Sequence, residues 1–190
     1  KILDNDLHDG RDVLVWYSND SILEGNHIAR MRYGLHFMYS HENIVRRNRF
    51  EHSSVGIYDM YGNGLVIEEN EIISNRGPSG YGVAIKEADR TKMNRNRIVG
   101  NRIGLQLDNA PLSPPPRSED MTVFNMNLLK RNDIGVSFVG SGYGSVFIKN
   151  DFVDNWQQVS TSGLQGNKTS WTNNYWSDYR GVDPAGRGVG

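Results

Sequence analysis

The tripeptide pattern Asn-x-apolar returns along the whole of this 190-residue chain, and no other feature narrows its fold so far. It reads Asn5-Asp6-Leu7, Asn26-His27-Ile28, Asn48-Arg49-Phe50, Asn70-Glu71-Ile72, Asn96-Arg97-Ile98, Asn150-Asp151-Phe152 and Asn174-Tyr175-Trp176. A degenerate copy, Met126-Asn127-Leu128, fills the gap, and successive copies then lie 21, 22, 22, 26, 30, 24 and 24 residues apart. Two further marks keep step with it. Eight residues after most copies comes Gly followed by an apolar residue, as in Gly34-Leu35, Gly56-Ile57 and Gly104-Leu105, displaced in Gly82-Val83 and Gly135-Val136. Three residues before the copies stand Leu23, Val45, Ile67, Met93, Val123, Phe147 and Trp171.

Self-similarity at such a period means stacked supersecondary units. Within each unit the apolar residues alternate with period two, as in Leu35 and Phe37, Leu105 and Leu107, Val136 and Phe138, which is the spacing of strands. Three short strands per unit predict an all-β, right-handed parallel β-helix, a solenoid of about 22–24 residues per coil, as one domain over residues 1–190. A leucine-rich repeat is the rival, but its Leu-x-x-Leu-x-Leu spacing is absent. The pattern starts and stops without capping elements, which reads as a piece of a longer helix.

The stacking supplies a reason for the asparagines. An inward Asn at a coil corner can bond its amide to those above and below, as in other stacked-strand assemblies. A partial second ladder is expected at Asn75, Asn101 and Asn155, and the recurring Gly is expected to relieve strain or adopt positive φ. Two insertions account for the long spacings, Gly77-Pro78-Ser79-Gly80 and the Pro-rich stretch from Ala110 to Arg117. Pro cannot donate to a strand ladder, so both are expected as surface loops.

Composition removes several function classes. Lys plus Arg is 21 against 22 Asp plus Glu, a balance that argues against a nucleic-acid partner. Without Cys there is no disulfide framework, thiolate zinc site or Cys nucleophile. No apolar run approaches the ~20 residues of a membrane span.

The chemistry gathers at one end. All five His, at positions 8, 27, 36, 41 and 52, precede residue 53, and Met31, Met38 and Met60 lie close by. With Leu35 and Phe37 inward, His36 and Met38 face outward, Tyr58 stacks on His36, and Met60 stacks on Met38. The outward column is expected to read Tyr17, Met38, Met60, Lys86, Asp108. His41 and His52 complete the candidate metal site if their corners fold over it. Thioether with imidazole favours Cu(I) over Mg, Ca or Mn. The competing reading is a parity slip that buries both Met. Asp59 raises it, because strict register drives this carboxylate into the core beneath Phe37.

Enzyme readings are weaker. Asp6-Leu7-His8-Asp9 is similar to the Asp-Pro-His-Asp motif of alginate epimerases and lyases, but Leu7 replaces Pro and is already used as a core residue. Lys86 and Asp108 read more simply as a surface ion pair than as base and partner. The ending from Gly181 to Gly188 resembles a calcium loop that lacks acidic ligands at Ala185 and Arg187.

Four stretches together resemble the NosD family: Met31-Arg32-Tyr33-Gly34-Leu35-His36-Phe37-Met38-Tyr39-Ser40, Gly77-Pro78-Ser79-Gly80-Tyr81-Gly82, Gly104-Leu105-Gln106-Leu107-Asp108-Asn109-Ala110-Pro111 and Asn174-Tyr175-Trp176-Ser177-Asp178-Tyr179. The likeness runs from about Asn26 onward. It implies a periplasmic, copper-binding accessory protein, not an enzyme, for maturation of the copper-sulfur centre of nitrous oxide reductase. It further implies work with a membrane ABC transporter and exchange of copper with the reductase or a copper chaperone. By position His36, Met38 and Tyr39 fall in the family signature, whereas Met60 is placed beside them by stacking alone. The expected metal residues are therefore His36, Met38, His41, His52 and Met60, with Cu(I) held transiently. The alternative is a carbohydrate-binding or polysaccharide lyase/epimerase-type β-helix.

Overall fold

The computed structural model describes residues 1–109, 120–140, 144–162 and 169–181. Its strands form a right-handed parallel β-solenoid of about seven stacked coils with three sheets of eight, eight and seven strands. The first coil holds β1 (Ile2–Leu3), β2 (Asp6–His8) and β3 (Asp12–Trp16). The second holds β4 (Ile22–Glu24), β5 (His27–Ala29) and β6 (Tyr33–Met38), and the third β7 (Ile44–Arg46), β8 (Arg49–Glu51) and β9 (Val55–Met60). Later coils repeat the order, each strand pairing in parallel with its counterparts one coil away.

Inward columns make the core. In the second sheet Ile28, Phe50, Ile72, Ile98, Leu129 and Phe152 lie in continuous register, all but sealed from solvent. Burying each such side chain is worth roughly 1.5–3 kcal/mol, so the stack adds a similar increment with every coil.

The asparagine ladder runs without a break through Asn5, Asn26, Asn48, Asn70, Asn96, Asn127, Asn150 and Asn174. Each Oδ1 accepts from both the backbone N–H and the Nδ2 of the Asn one coil earlier, as at Asn96, where both bonds from Asn70 are 3.0 Å. The remaining amide hydrogen goes to a core-strand carbonyl, for example from Asn96 to Ile67 at 2.8 Å. The coils are thus held by saturated buried amides, which is why no other residue serves at this slot.

Four sequence expectations need correction. The degenerate copy takes its rung at Asn127, so the inward residue before it is Phe124 rather than Val123. The second ladder also includes Asn132, between Asn101 and Asn155. The recurring Gly is not there for positive φ. A Cβ at Gly34, Gly56, Gly82 or Gly104 would stand 2.6–2.7 Å from the carbonyl oxygen of the next Gly in the column, closer than any side chain tolerates. The left-handed corners instead fall mostly on ordinary residues such as Asp9, Arg30 and His52, 20 non-Gly positions in all among the described residues. Finally, Met38 pairs with Trp16 rather than Tyr17, because a bulge between Asp12 and Leu14 moves the register by one residue.

The insertion at residues 77–80 is a loop fastened to the coil below. The Gly80 and Tyr81 N–H groups donate to the Ser54 carbonyl, and the Ser79 N–H donates to its hydroxyl. The Pro-rich insertion at 110–117 and the calcium-loop-like segment beyond Gly181 lie outside the described residues.

Candidate metal centre

Parity does not slip between β6 and β9 of the third sheet. β6 and β9 pair as Leu35 with Ile57, His36 with Tyr58, Phe37 with Asp59 and Met38 with Met60. Leu35, Phe37 and Ile57 are wholly buried, and Met38 and Met60 face outward, each half-buried. The outward column reads Trp16, Met38, Met60, Lys86, Asp108.

His36 reaches diagonally across this column, and its Nε2 lies 3.3 Å from the Met60 Sδ. Though outward, the imidazole is only 7% exposed. Its ring stacks on Tyr58 with centroids 5.7 Å apart and meets the edge of Tyr33 at 5.1 Å. Burial pushes its pKa down, with nearby Asp12 opposing and Arg32 adding to the fall. The ring is therefore neutral at neutral pH; a thioether sulfur only accepts, so in this contact Nε2 carries the proton, and a metal there needs the tautomer with the proton on Nδ1. Its Nδ1 is buried with no hydrogen-bond partner.

The open side of the patch is a groove lined by Arg11, Asp12, Leu14, Trp16, Arg32, His36 and Met38. Two of its three charges pair: Arg32 Nε donates to Asp12 Oδ1 at 2.8 Å, and the same guanidinium holds the Asp12 carboxyl below its ordinary range, while Arg11 adds a second cation to the groove. Arg32 also lies 4.4 Å over the Tyr33 ring, which fixes that wall beside His36.

The structure brings His36, Met38 and Met60 together and leaves the other two candidates apart from them. His41 lies past the end of β6, its backbone N–H donating to Asn19 Oδ1 at 2.8 Å and its Nδ1 buried without a partner. His52 is exposed at a left-handed corner before β9, beside the 77–80 loop. The length of β9 places it more than ~15 Å from Met60. Among the described residues, no cluster of three or more His, Asp or Glu side chains is arranged to hold a metal ion. Thioethers are thus indispensable to any soft-metal site here. Tyr33 and the pairing of Trp16 with Met38 were not legible in the sequence. The bulge in β3 hides the second, and only contact with His36 reveals the first.

Asp59 is the other chemically unusual residue. It is wholly buried, in register between Phe37 and Ile85, and neither carboxylate oxygen has a hydrogen-bond partner. Burial pushes it up to about 7. A Cβ at Gly62 would meet Asp59 Oδ1 at 2.2 Å, so that Gly makes room for the carboxyl. The remaining chemistry is superficial: Lys86 and Asp108 form an ion pair at 3.5 Å, and His8 bonds its neighbour Asp9. Among the described residues, no helix is long and apolar enough to cross a membrane.

No curated protein matches the chain. The family model described as "Periplasmic copper-binding protein (NosD)" matches residues 1–181, nearly the full length. The match covers far more than half of the sequence, and the chain belongs to the NosD family.

Proposed function

We propose that this protein binds Cu(I) transiently through His36, Met38 and Met60 and hands it to a partner, with no catalysis of its own. The reading rests chiefly on the 3.3 Å approach of His36 Nε2 to Met60 Sδ. Two donors each ~2.0–2.3 Å from one ion stand roughly 3.3–3.8 Å apart, so little movement is needed to admit a metal between them. Met38, in register beside Met60, supplies the second thioether. The set is neutral and soft, which suits Cu(I) and rejects Mg, Ca and Mn. A half-buried Met38 lining an open groove, with Met60 half-buried beside it, suits transfer better than permanent retention. In the family context the acceptor is the maturing copper-sulfur centre of nitrous oxide reductase or its copper chaperone, with an ABC transporter as the membrane partner.

The exposed rings of Tyr17 and Tyr39 and the half-buried ring of Tyr61 do not favour a carbohydrate site. They stack on one another at 5.2 and 5.0 Å, so their faces are occupied.

The test is an anaerobic Cu(I) titration against a competing chelator. Wild type is expected to take up one equivalent, and the triple variant His36→Ala/Met38→Ala/Met60→Ala to lose at least about tenfold in affinity. Equal affinity in the two proteins rules the site out.

A further inference from the structure

Resting on that copper reading, we infer that the Trp16 indole is part of the same site, covering the open side of the thioether pair and holding the bound Cu(I) through its π face. Trp16 occupies the rung next to Met38 in the outward column, about 4.8 Å away along the axis, and lines the same groove as Met38 and His36.

Its position there is specifically arranged. Asp12 pairs with Tyr33 at an offset of 21 residues, whereas Leu14 pairs with His36 at an offset of 22. Were the first offset kept, Tyr17 would stand beside Met38. The bulge replaces a phenol with an indole at that rung, the kind of re-aiming for which bulges beside functional sites are known. Trp16 is also 55% exposed, an unusual placement for so large an apolar ring.

The ring is braced from one side. It stacks on Tyr17 at 5.6 Å, Tyr17 on Tyr39 at 5.2 Å, and Tyr39 on Tyr61 at 5.0 Å. The three Tyr are held at φ of 47°, 49° and 57°, a backbone conformation that aromatic residues rarely adopt. A pre-ordered stack of this kind lets the terminal indole meet a ligand without first losing rotamer freedom.

The chemistry is consistent. Two thioethers and one imidazole leave a singly charged ion open on one side. Indole is the strongest π partner for a cation among the side chains, adds no charge and keeps water from the ion. The groove's one carboxylate, Asp12, is already paired with Arg32 and so is not free to serve as the fourth contact, and its second guanidinium, Arg11, has no lone pair to offer.

The experiment is an anaerobic titration with Cu(I), and with Ag(I) as a redox-silent probe, following tryptophan emission and the rate of air oxidation of the copper-loaded protein. One equivalent is expected to quench part of the wild-type emission, with that component missing in Trp16→Phe. Trp16→Phe should still bind one equivalent, about three- to tenfold more weakly, and should lose copper to oxidation several-fold faster. Trp16→Tyr should fall between the two, with an unfolding midpoint equal to wild type. If wild type binds one Cu(I) but emission, affinity and oxidation rate are indifferent to Trp16, this inference is wrong and the copper reading survives. If emission is quenched equally in His36→Ala/Met38→Ala/Met60→Ala, the metal lies elsewhere and both are wrong. Absence of binding by wild type overturns both as well.

Discussion

The corner that follows the second sheet is built differently in the two halves of the solenoid. From the fourth coil on, its rungs are Asn75, Asn101, Asn132 and Asn155, each buried and bonded to the next through Nδ2 and the backbone N–H. In the first three coils the same rungs are Gly10, Met31 and Ser53, joined by single bonds from Gly10 N–H to Met31 Sδ and from Met31 N–H to Ser53 Oγ, both 3.1 Å. Those are the coils that carry His36, Met38, Met60 and the exposed aromatic stack. One complete asparagine ladder at the other corner keeps every coil in place, so the second corner can lose its amides where the surface is given to chemistry. Order and reactivity are supplied by different columns of the same coil.

The sharpest way to break this contrast is to truncate one rung in each half. Asn101→Ala strands the amide and backbone N–H of Asn75 in the interior and should lower unfolding free energy in urea by about 3–5 kcal/mol. Ser53→Ala deprives the Met31 N–H of its acceptor and removes a hydroxyl bond to the Glu51 carbonyl, which keeps the Arg30 N–H, and should cost about 1–2 kcal/mol. Equal losses would show that the two corners bear the same load.

Asp59 ties the third coil to pH. Its folded pKa, about 7, exceeds the usual 3.8, so the folded state holds the proton more tightly. Stability is therefore complete below pH ~4 and falls as pH rises towards 7, by up to about 4 kcal/mol, and then levels off. Asp59→Leu should erase that slope and leave the protein more stable than wild type at pH 8. Parallel wild-type and variant profiles between pH 4 and 8 would show that the carboxyl finds a partner in solution.

Gly34→Ala and Gly104→Ala probe a column common to both halves. Each added Cβ would meet the next coil's carbonyl at 2.7 Å. Both variants should lose about 1–3 kcal/mol by chemical denaturation. A much smaller loss at Gly34 would mean that the metal-bearing coils are more loosely stacked. The least effect on stability is expected from Met38→Leu and Met60→Leu, under about 1 kcal/mol each, because the side chains are half-exposed and Leu conserves their volume. Any larger loss would assign these sulfurs a structural part.

The ladder was legible in the sequence because a buried amide is satisfied only by another amide one coil away, and that demand repeats a letter. Seven of the eight rungs, the inward parity of Leu35 and Phe37 and even the burial of Asp59 follow from counting. Counting fails where the coil length changes. The rung at Asn127 follows a 31-residue coil, and spacing alone could not choose between it and Met126. The bulge in β3 is one residue that leaves no mark in composition, and it misplaced Trp16. Gathering His41 and His52 with the methionines would have required corners to fold across strands, whereas each corner is fixed by its own backbone bonds to the neighbouring coil.

The ladder bond between Asn96 and Asn127 is 2.9 Å across 31 residues, and that between Asn26 and Asn48 is 2.9 Å across 22. Contour length and axial rise are therefore uncoupled: the rungs keep their spacing whatever the number of residues between them. A foreign peptide grafted at 77–80 should be displayed without disturbing the rungs on either side, which makes this solenoid a ruler with replaceable side arms.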